Sequence, residues 1–555
     1  MTKINLPPGW VHRAYRFEVD RPSRHPAIPS HEGAKRFAWN WALGVVEEQL
    51  QAKEALRVLA LRQGARMVEA EDFATRAATI PALVELNEQR RKDHEARVQA
   101  GKRNGPYHPV SEWCPWSAEA MRFIWNRTKD AVATWWAENS KEAYSSAFEA
   151  LASAFMNYFG SLSGKRKGLR VGWPRHKARR GRQSVSFTTG AVKILDHHHV
   201  QLPVIGRLRV KEPTDKLRLR IEAGTARVLR ATLVSEGGKT YVSFAVIATR
   251  AALRHAPVSV AGHDVGISAL VTASDGHVVE NPRAEARAHK QISRYLRKMD
   301  RQHRGGSPAC FGPDGTHIKG ACHWKTRSKR SRENQARLAR THAKAARMRR
   351  DAIHKATHRA STRFAANVVE DLNVAGLGQE GRGKRGFNRA AKDAALAEYR
   401  RQLSYKCPWY GSVLWLANRW YPSSKMCSAC RTKKSNLPRS ARVFHCDACG
   451  LTMDRDLNAA KNLAALAELA SVCLMAQIAT GVPVDWSKLP VRPDGWEEDQ
   501  DTRSSRGCAR AGGRKADGGG RKTARASTGG DHPLEREAAS HRPLLLAVAR
   551  QSEVA

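Results

Sequence analysis

The 555-residue chain is too long for one core and suits about three or four domains. Lys and Arg number 96 against 52 acidic residues, and a net formal charge of +44 calls for a polyanion, so nucleic acid is the expected partner. No apolar run reaches the ~20 residues of a membrane span, no signal-peptide order opens the chain, and ten cysteines, four in a metal-binding pattern and the others scattered, fit a reducing cytoplasm rather than a disulfide framework.

Residues 11–19 alternate like a strand, and a helix is expected from Gly33 toward residue 60. Residues 30 to about 160 read mainly as helices, with the charged stretch 85–105 as a connection. Trp113, Trp116, Trp125, Trp135 and Trp136 lie there at helical spacing, which favours helix core over base stacking. Residues 164–184 are basic, and their glycines and proline forbid a regular helix, so they read as a phosphate-tracking loop. Short alternating runs follow at Ser184–Thr188, Val192–Leu195, Val200–Leu202, Leu208–Val210, Leu217–Ile221, Arg227–Leu233 and Tyr241–Ala248. They predict a small antiparallel barrel that the N-terminal strand could join. His197, His198 and His199 at one hairpin tip read as a solvated turn, because no fourth metal ligand is nearby.

From residue 257 the pattern changes. Strands are expected at Val258–Val265, Ser268–Ala273 and His277–Glu280, with Ser274-Asp275-Gly276 as a tight turn. A very basic helical region covers about 284–364, broken near 305–308 and 312–320. Then come a strand at Asn367–Leu372, a helix at Lys392–Tyr405, a strand at Ser412–Ala417 and a last helix from Asp456 to about Met475. Residues 495–555 are rich in Arg, Gly, Ser and acids with few aromatics, and disorder is expected there.

The order three antiparallel strands, helix, strand, helix, strand, helix is that of an RNase H-like α/β core. Asp264 falls on the first strand, Glu370 on the fourth and Asp456 at the start of the last helix. Such a topology gathers three carboxylates at one sheet edge, where Mg²⁺ would be held for phosphodiester cleavage. His263 and Asp371 should face the opposite way, because successive strand residues alternate. Asp454 reads as a helix N-cap.

Inserted before the last helix, Cys427-Ser-Ala-Cys430, fifteen residues and Cys446-Asp-Ala-Cys449 make the ligand set of a four-thiolate zinc ribbon. Cys310, His317, Cys322 and His323 are a looser cluster and read as an exposed linker. Lys325, Arg327, Lys329, Arg330, Arg332, Arg337, Arg340, Lys344, Arg347, Arg349 and Arg350 are dense enough on one element to line a nucleic-acid channel.

Gly262-His-Asp-Val-Gly266, Val368-Val-Glu-Asp-Leu-Asn-Val374, Trp420-Tyr-Pro-Ser-Ser-Lys-Met-Cys427 and Asp454-Arg-Asp-Leu-Asn-Ala-Ala460 resemble the split RuvC motifs and ribbon of the TnpB family and its descendants, the type V CRISPR effectors. Arg36-Phe-Ala-Trp-Asn-Trp-Ala-Leu43 resembles the start of that family's helical lobe. The resemblance implies a multidomain α+β chain. Its parts would be wedge strands (1–29), a helical recognition lobe (30–183), a wedge barrel (184–256), a RuvC-like core (257–420), the ribbon (421–453), the core's last helix (454–480) and a disordered tail (481–555). It implies a prokaryotic protein, one chain per guide RNA, that recognises duplex DNA beside a short flanking motif while base pairing reads the rest.

Two features depart from the family's pattern. His263 stands where an apolar residue usually precedes the first catalytic Asp, and the chain is longer than a typical TnpB. Size and layout look most like the type V-M effectors, which implies silencing by target binding with weak or absent DNA cutting. An active endonuclease and a transposon-encoded nuclease are the alternatives.

Overall fold

The computed structural model describes residues 6–100, 106–166, 168–179, 182–188, 192–250, 260–318, 328–374, 385–438, 440–480 and 489–494. The described residues fall into two compact units: one holds residues 12–248, the other residues 249–494 together with the chain start up to Val11.

In the first unit, strand β1 (Trp10–Glu18) leads into α1 (Ala27–Arg62). Ala34, Ala38, Ala42 and Val46 recur every four residues on the buried stripe of α1. Such small side chains let α5 (Lys141–Leu162) lie close, with Phe148, Leu151 and Phe155 in the same core. Between them stand α2 (Met67–Ala77), α3 (Pro81–Gln99) and α4 (Ala118–Val132). Helix α3 corrects the expected connection at 85–105. Leu83 and Leu86, near its start, pack with Ala120 of α4, and this short anchor holds a helix whose remainder is largely solvated.

The helical spacing of the tryptophans also fails. Only Trp125 lies on α4, while Trp113 and Trp116 precede it and Trp135 and Trp136 follow in a turn. All five nonetheless join the core, as expected.

The remaining elements are β2 (Gln183–Phe187), β3 (Lys193–Asp196), β4 (His199–Leu202), β5 (Gly206–Arg209), α6 (Asp215–Glu222), β6 (Ala226–Glu236) and β7 (Lys239–Thr249). They form two sheets, β1-β7-β6-β2 and β3-β4-β5, tied by a bridge between Val19 and Val210. The expected barrel is thus built from two sheets over one core, with β1 joining as anticipated. The strand expected at Leu217–Ile221 is helix α6. Its leucine–arginine alternation also places Leu217 and Ile221 four apart, and Arg218 pairs with both Asp215 and Glu222 along a helix face.

In the second unit a six-stranded sheet runs in the order β10 (Val278–Glu280), β9 (Ala269–Ala273), β8 (Val260–Asp264), β11 (Ala366–Glu370), β12 (Val413–Ala417), β15 (Val491–Pro493). β8 pairs antiparallel with β9 and parallel with β11; β11 pairs parallel with β12. This is the RNase H-like arrangement. The edge strand β15 lies within the tail expected to be disordered; it adds antiparallel to β12 and buries Val491. Apart from residues 489–494, that tail lies outside the described residues.

Helices α7 (Ala284–Gly306) and α8 (Lys329–Arg363) connect β10 to β11, and α9 (Arg385–Ala394) and α10 (Leu396–Tyr410) connect β11 to β12. Helix α9 begins earlier than expected and is separated from α10 at Ala395, whose φ is 51°. The hairpin β13 (Val443–His445) and β14 (Thr452–Asp454) leads into α11 (Arg455–Thr480).

Alternation sorts the sheet's two faces. Val368, Trp415 and Ala417 pack on Leu463, Leu466 and Ala467 of α11. Val369, Leu414 and Leu416 pack on Ile353 of α8 and on Tyr399 and Leu403 of α10.

Candidate metal centres and nucleic-acid surface

Gly262 and Asp264 are two residues apart on β8, so both face α11. A Cβ on Gly262 would lie 2.0 Å from the Ala460 carbonyl oxygen and 2.4 Å from the Ala464 nitrogen. The bare glycine is what lets the α11 backbone rest on the strand. One turn before Ala460, Asp456 stands in the first turn of the helix. Asp454 caps it as expected, its Oδ1 accepting the amides of Asp456 and Leu457 at 2.9 and 3.0 Å. In β11 the register Val369↔His263 sets Glu370 beside Asp264 at the carboxyl ends of two parallel strands.

The three acids therefore share one end of the sheet, and their charges act on one another. Burial pushes the Asp264 carboxyl up to about 7, helped by the negative charges of Glu370 and Asp456 and opposed by Arg455. Burial also raises Glu370, against the hydroxyl of Ser423, which donates to its Oε1. Asp456 accepts from Arg455 at 3.2 Å. A half-buried acidic cluster of this kind suits a hard divalent cation, whose charge would offset the crowding of carboxylates.

Asp371 points away, paired with Arg400 and Arg492. His263 also turns to the other face and is buried. Asn367 donates from Nδ2 to Ser412 Oγ at 2.8 Å, which turns its Oδ1 toward His263 Nε2 at 2.7 Å. His263 Nε2 therefore carries the proton, and Nδ1 accepts from the Tyr399 hydroxyl at 3.3 Å. The departure at position 263 is thus a satisfied polar group inside the core.

Cys427, Cys430, Cys446 and Cys449 have their sulfurs within 4.8 Å of one another, the one such ligand group among the described residues. Cys427 and Cys449 are 3.6 Å apart, Cys430 and Cys446 3.5 Å. Four sulfurs about 2.3 Å from one tetrahedral ion would be about 3.8 Å apart, so the donor set fits zinc. The knuckles fold alike. The amides of Arg431 and Gly450 donate to the Cys427 and Cys446 carbonyls, and both residues take left-handed φ, 65° and 73°. Phe444, with Leu437 and Leu451, is the small apolar packing beside the sulfurs.

Lys329, Arg330, Arg337, Arg340 and Lys344 are exposed on α8, and Arg347 is half-buried; Lys325 and Arg327 lie outside the described residues. Arg337, Arg340 and Lys344 line a groove of about 670 Å³ with Arg287, Gln291 and Tyr295 of α7. Not every basic residue of α8 is left unpaired by the protein: Arg349 is tied to Glu285 and Asp393.

His197 and His199 pair with Asp215 and Asp196, and His198 bonds the Val210 carbonyl, in keeping with a turn. Cys322 and His323 lie outside the described residues. Part of the basic loop 164–184 is held by α1: Trp39 Nε1 donates to the Arg175 carbonyl at 3.0 Å, and Asn40 brackets Lys177. Sequence reasoning missed Gly262, Ser423 and the α7 side of the groove. A glycine two residues before a candidate acid was the available signal for the first; the other two contacts leave no local pattern.

Comparison with known proteins bears on this geometry. The Cas12f1-like TNB domain matches residues 397–463, and a probable transposase family, OrfB_IS605, matches residues 316–380. A Mycobacterium tuberculosis protein named "Putative RNA-guided DNA endonuclease" is 33% identical over 492 residues, 85% of this chain and 90% of its own. The Escherichia coli protein InsQ, similarly named, is 26% identical over 387 residues, 68% of this chain and 84% of its own. The solved Cas12f1–sgRNA–target DNA complex aligns over 82% of this chain and 99% of its own at 13% identity, with a TM-score of 0.38, too slight a likeness to carry an argument.

Proposed function

The chain belongs to the family of RNA-guided DNA endonucleases of the TnpB kind, and from that premise we propose that it binds a guide RNA and cleaves matched duplex DNA. Placement of Asp264, Glu370 and Asp456 at one end of an RNase H-like sheet, near enough for their charges to interact, is the observation that carries this reading. These three acids would hold Mg²⁺, and Cys427, Cys430, Cys446 and Cys449 would hold Zn²⁺. Divalent ions held there would supply activation of water and stabilisation of the leaving 3′ oxygen.

The chain's own part is positional and electrostatic. β8 and β11 present two carboxylates in fixed register, and the α11 N-terminus brings the third. The basic groove of α7 and α8 engages phosphates, while guide pairing supplies sequence recognition beside a short flanking motif. One chain per guide RNA, acting in a prokaryotic cytoplasm, completes the reading.

Purification with a co-expressed small RNA, followed by incubation with matched duplex and Mg²⁺, tests it. Guide-dependent cutting lost in Asp264→Ala is the expected result. Tight guided binding without cutting of DNA would instead establish the silencing role that the type V-M likeness implies.

A further inference from the structure

A set of buried polar contacts runs between the two candidate metal centres, and neither centre needs it for its ligands. Ser423 is 2% exposed and donates its hydroxyl to Glu370. Its carbonyl accepts from Asn462 Nδ2 at 2.8 Å. The same Nδ2 donates to the Met426 carbonyl at 2.6 Å, as does Asn458 Nδ2 at 2.7 Å. Asn458 Oδ1 accepts the Ser428 amide at 2.9 Å, and Asn462 Oδ1 accepts from Arg431 Nη1 at 3.2 Å. Both asparagines are fully buried one turn apart on α11, the helix that carries Asp456 in its first turn. That helix therefore grips the residues on either side of Cys427, and the gripped segment reaches Glu370.

Two physical points give the arrangement a direction. Each buried amide is satisfied only while the Cys427 knuckle keeps its shape, and an orphaned one would cost about 1–3 kcal/mol. The ribbon has little apolar core, so ligation by four thiolates is what holds that shape. We propose that Ser423, Asn458 and Asn462 are positioning residues through which the metal-loaded ribbon fixes Glu370 and Asp456. The seating of the ribbon on α11 thereby raises the affinity of the carboxylates for a divalent ion. This inference rests on the reading of Asp264, Glu370 and Asp456 as a divalent-ion site.

Mn²⁺ titration of the zinc-loaded full chain, without nucleic acid and read by the electron spin resonance of free Mn²⁺, tests it. Ser423→Ala should weaken Mn²⁺ binding about tenfold with zinc content unchanged, as loss of an outer-shell partner does. Ser423→Thr, which keeps the hydroxyl, should restore it. Asn462→Ala, which touches no carboxylate, should also weaken binding and serves as the second arm if Ser423→Ala does not fold. Wild-type affinity in either folded variant overturns the inference, while Mn²⁺ binding that Asp264→Asn abolishes leaves the carboxylate site standing. Wild-type protein with no Asp264-dependent Mn²⁺ binding overturns both.

Discussion

The α-carbon of Gly262 faces the carbonyl oxygen of Ala460 so closely that a methyl group there would sit 2.0 Å from it. The clash is with helix backbone, which no rotamer change relieves. Gly262→Ala should therefore push α11 off β8 and destabilise the second unit by at least about 1–3 kcal/mol, as overpacking does. Thermal unfolding would show the loss, and divalent-ion affinity should fall with it because Asp456 moves. Wild-type values for both would show that the helix can shift freely.

Asp264 should be essential for cleavage and dispensable for guided binding. Asp264→Ala removes phosphodiester hydrolysis, while base pairing and Lys/Arg contacts keep the target bound. Electrophoretic mobility and cleavage assays on the same complexes separate the two roles.

The same carboxyl strains the metal-free protein. Its pKa rises from 3.8 to about 7 on folding, so between those values the folded chain holds a proton that the unfolded chain lacks. Stability from this group is present at low pH and is lost as pH rises through 7. Metal-free Asp264→Asn should then be more stable than wild type at pH 8, by at most about 4 kcal/mol, and unfold at a higher temperature, with the gap closing toward pH 4. Differential scanning calorimetry in chelator at both pH values measures it.

The ribbon should carry about one zinc ion per chain, lost in the Cys427→Ser/Cys446→Ser double variant. Elemental analysis of purified protein decides the matter, and full retention in that variant would remove the assignment.

Charge reversal of Arg337, Arg340 and Lys344 should weaken guide-complex binding to all targets about equally. Affinity of the wild type should fall roughly 10³-fold from 50 to 200 mM salt if six or more phosphates are engaged, with a shallower slope in the variant. Loss confined to particular target sequences would mean that these residues read bases.

Much of the fold was legible because its signals are local. Four cysteines in two knuckles, three acids at successive topological positions and a charge of +44 stand in the sequence itself. The structure sets each acid at the sheet end that the strand order implied, and turns His263 and Asp371 away as alternation required. Where a local pattern fits two periodicities, the sequence alone could not choose: Leu217–Ile221 alternates like a strand yet folds as α6, because ion pairs and one buried leucine favour the helix. Contacts between distant segments left no trace at all. Ser423 on Glu370, Asn462 on Met426 and Val491 beside Ala417 depend on how α11 and the ribbon seat on the sheet. Burial and hydrogen bonding of such groups are settled only when the elements pack, so the chemistry of the residues came from the sequence and their cooperation from the tertiary structure.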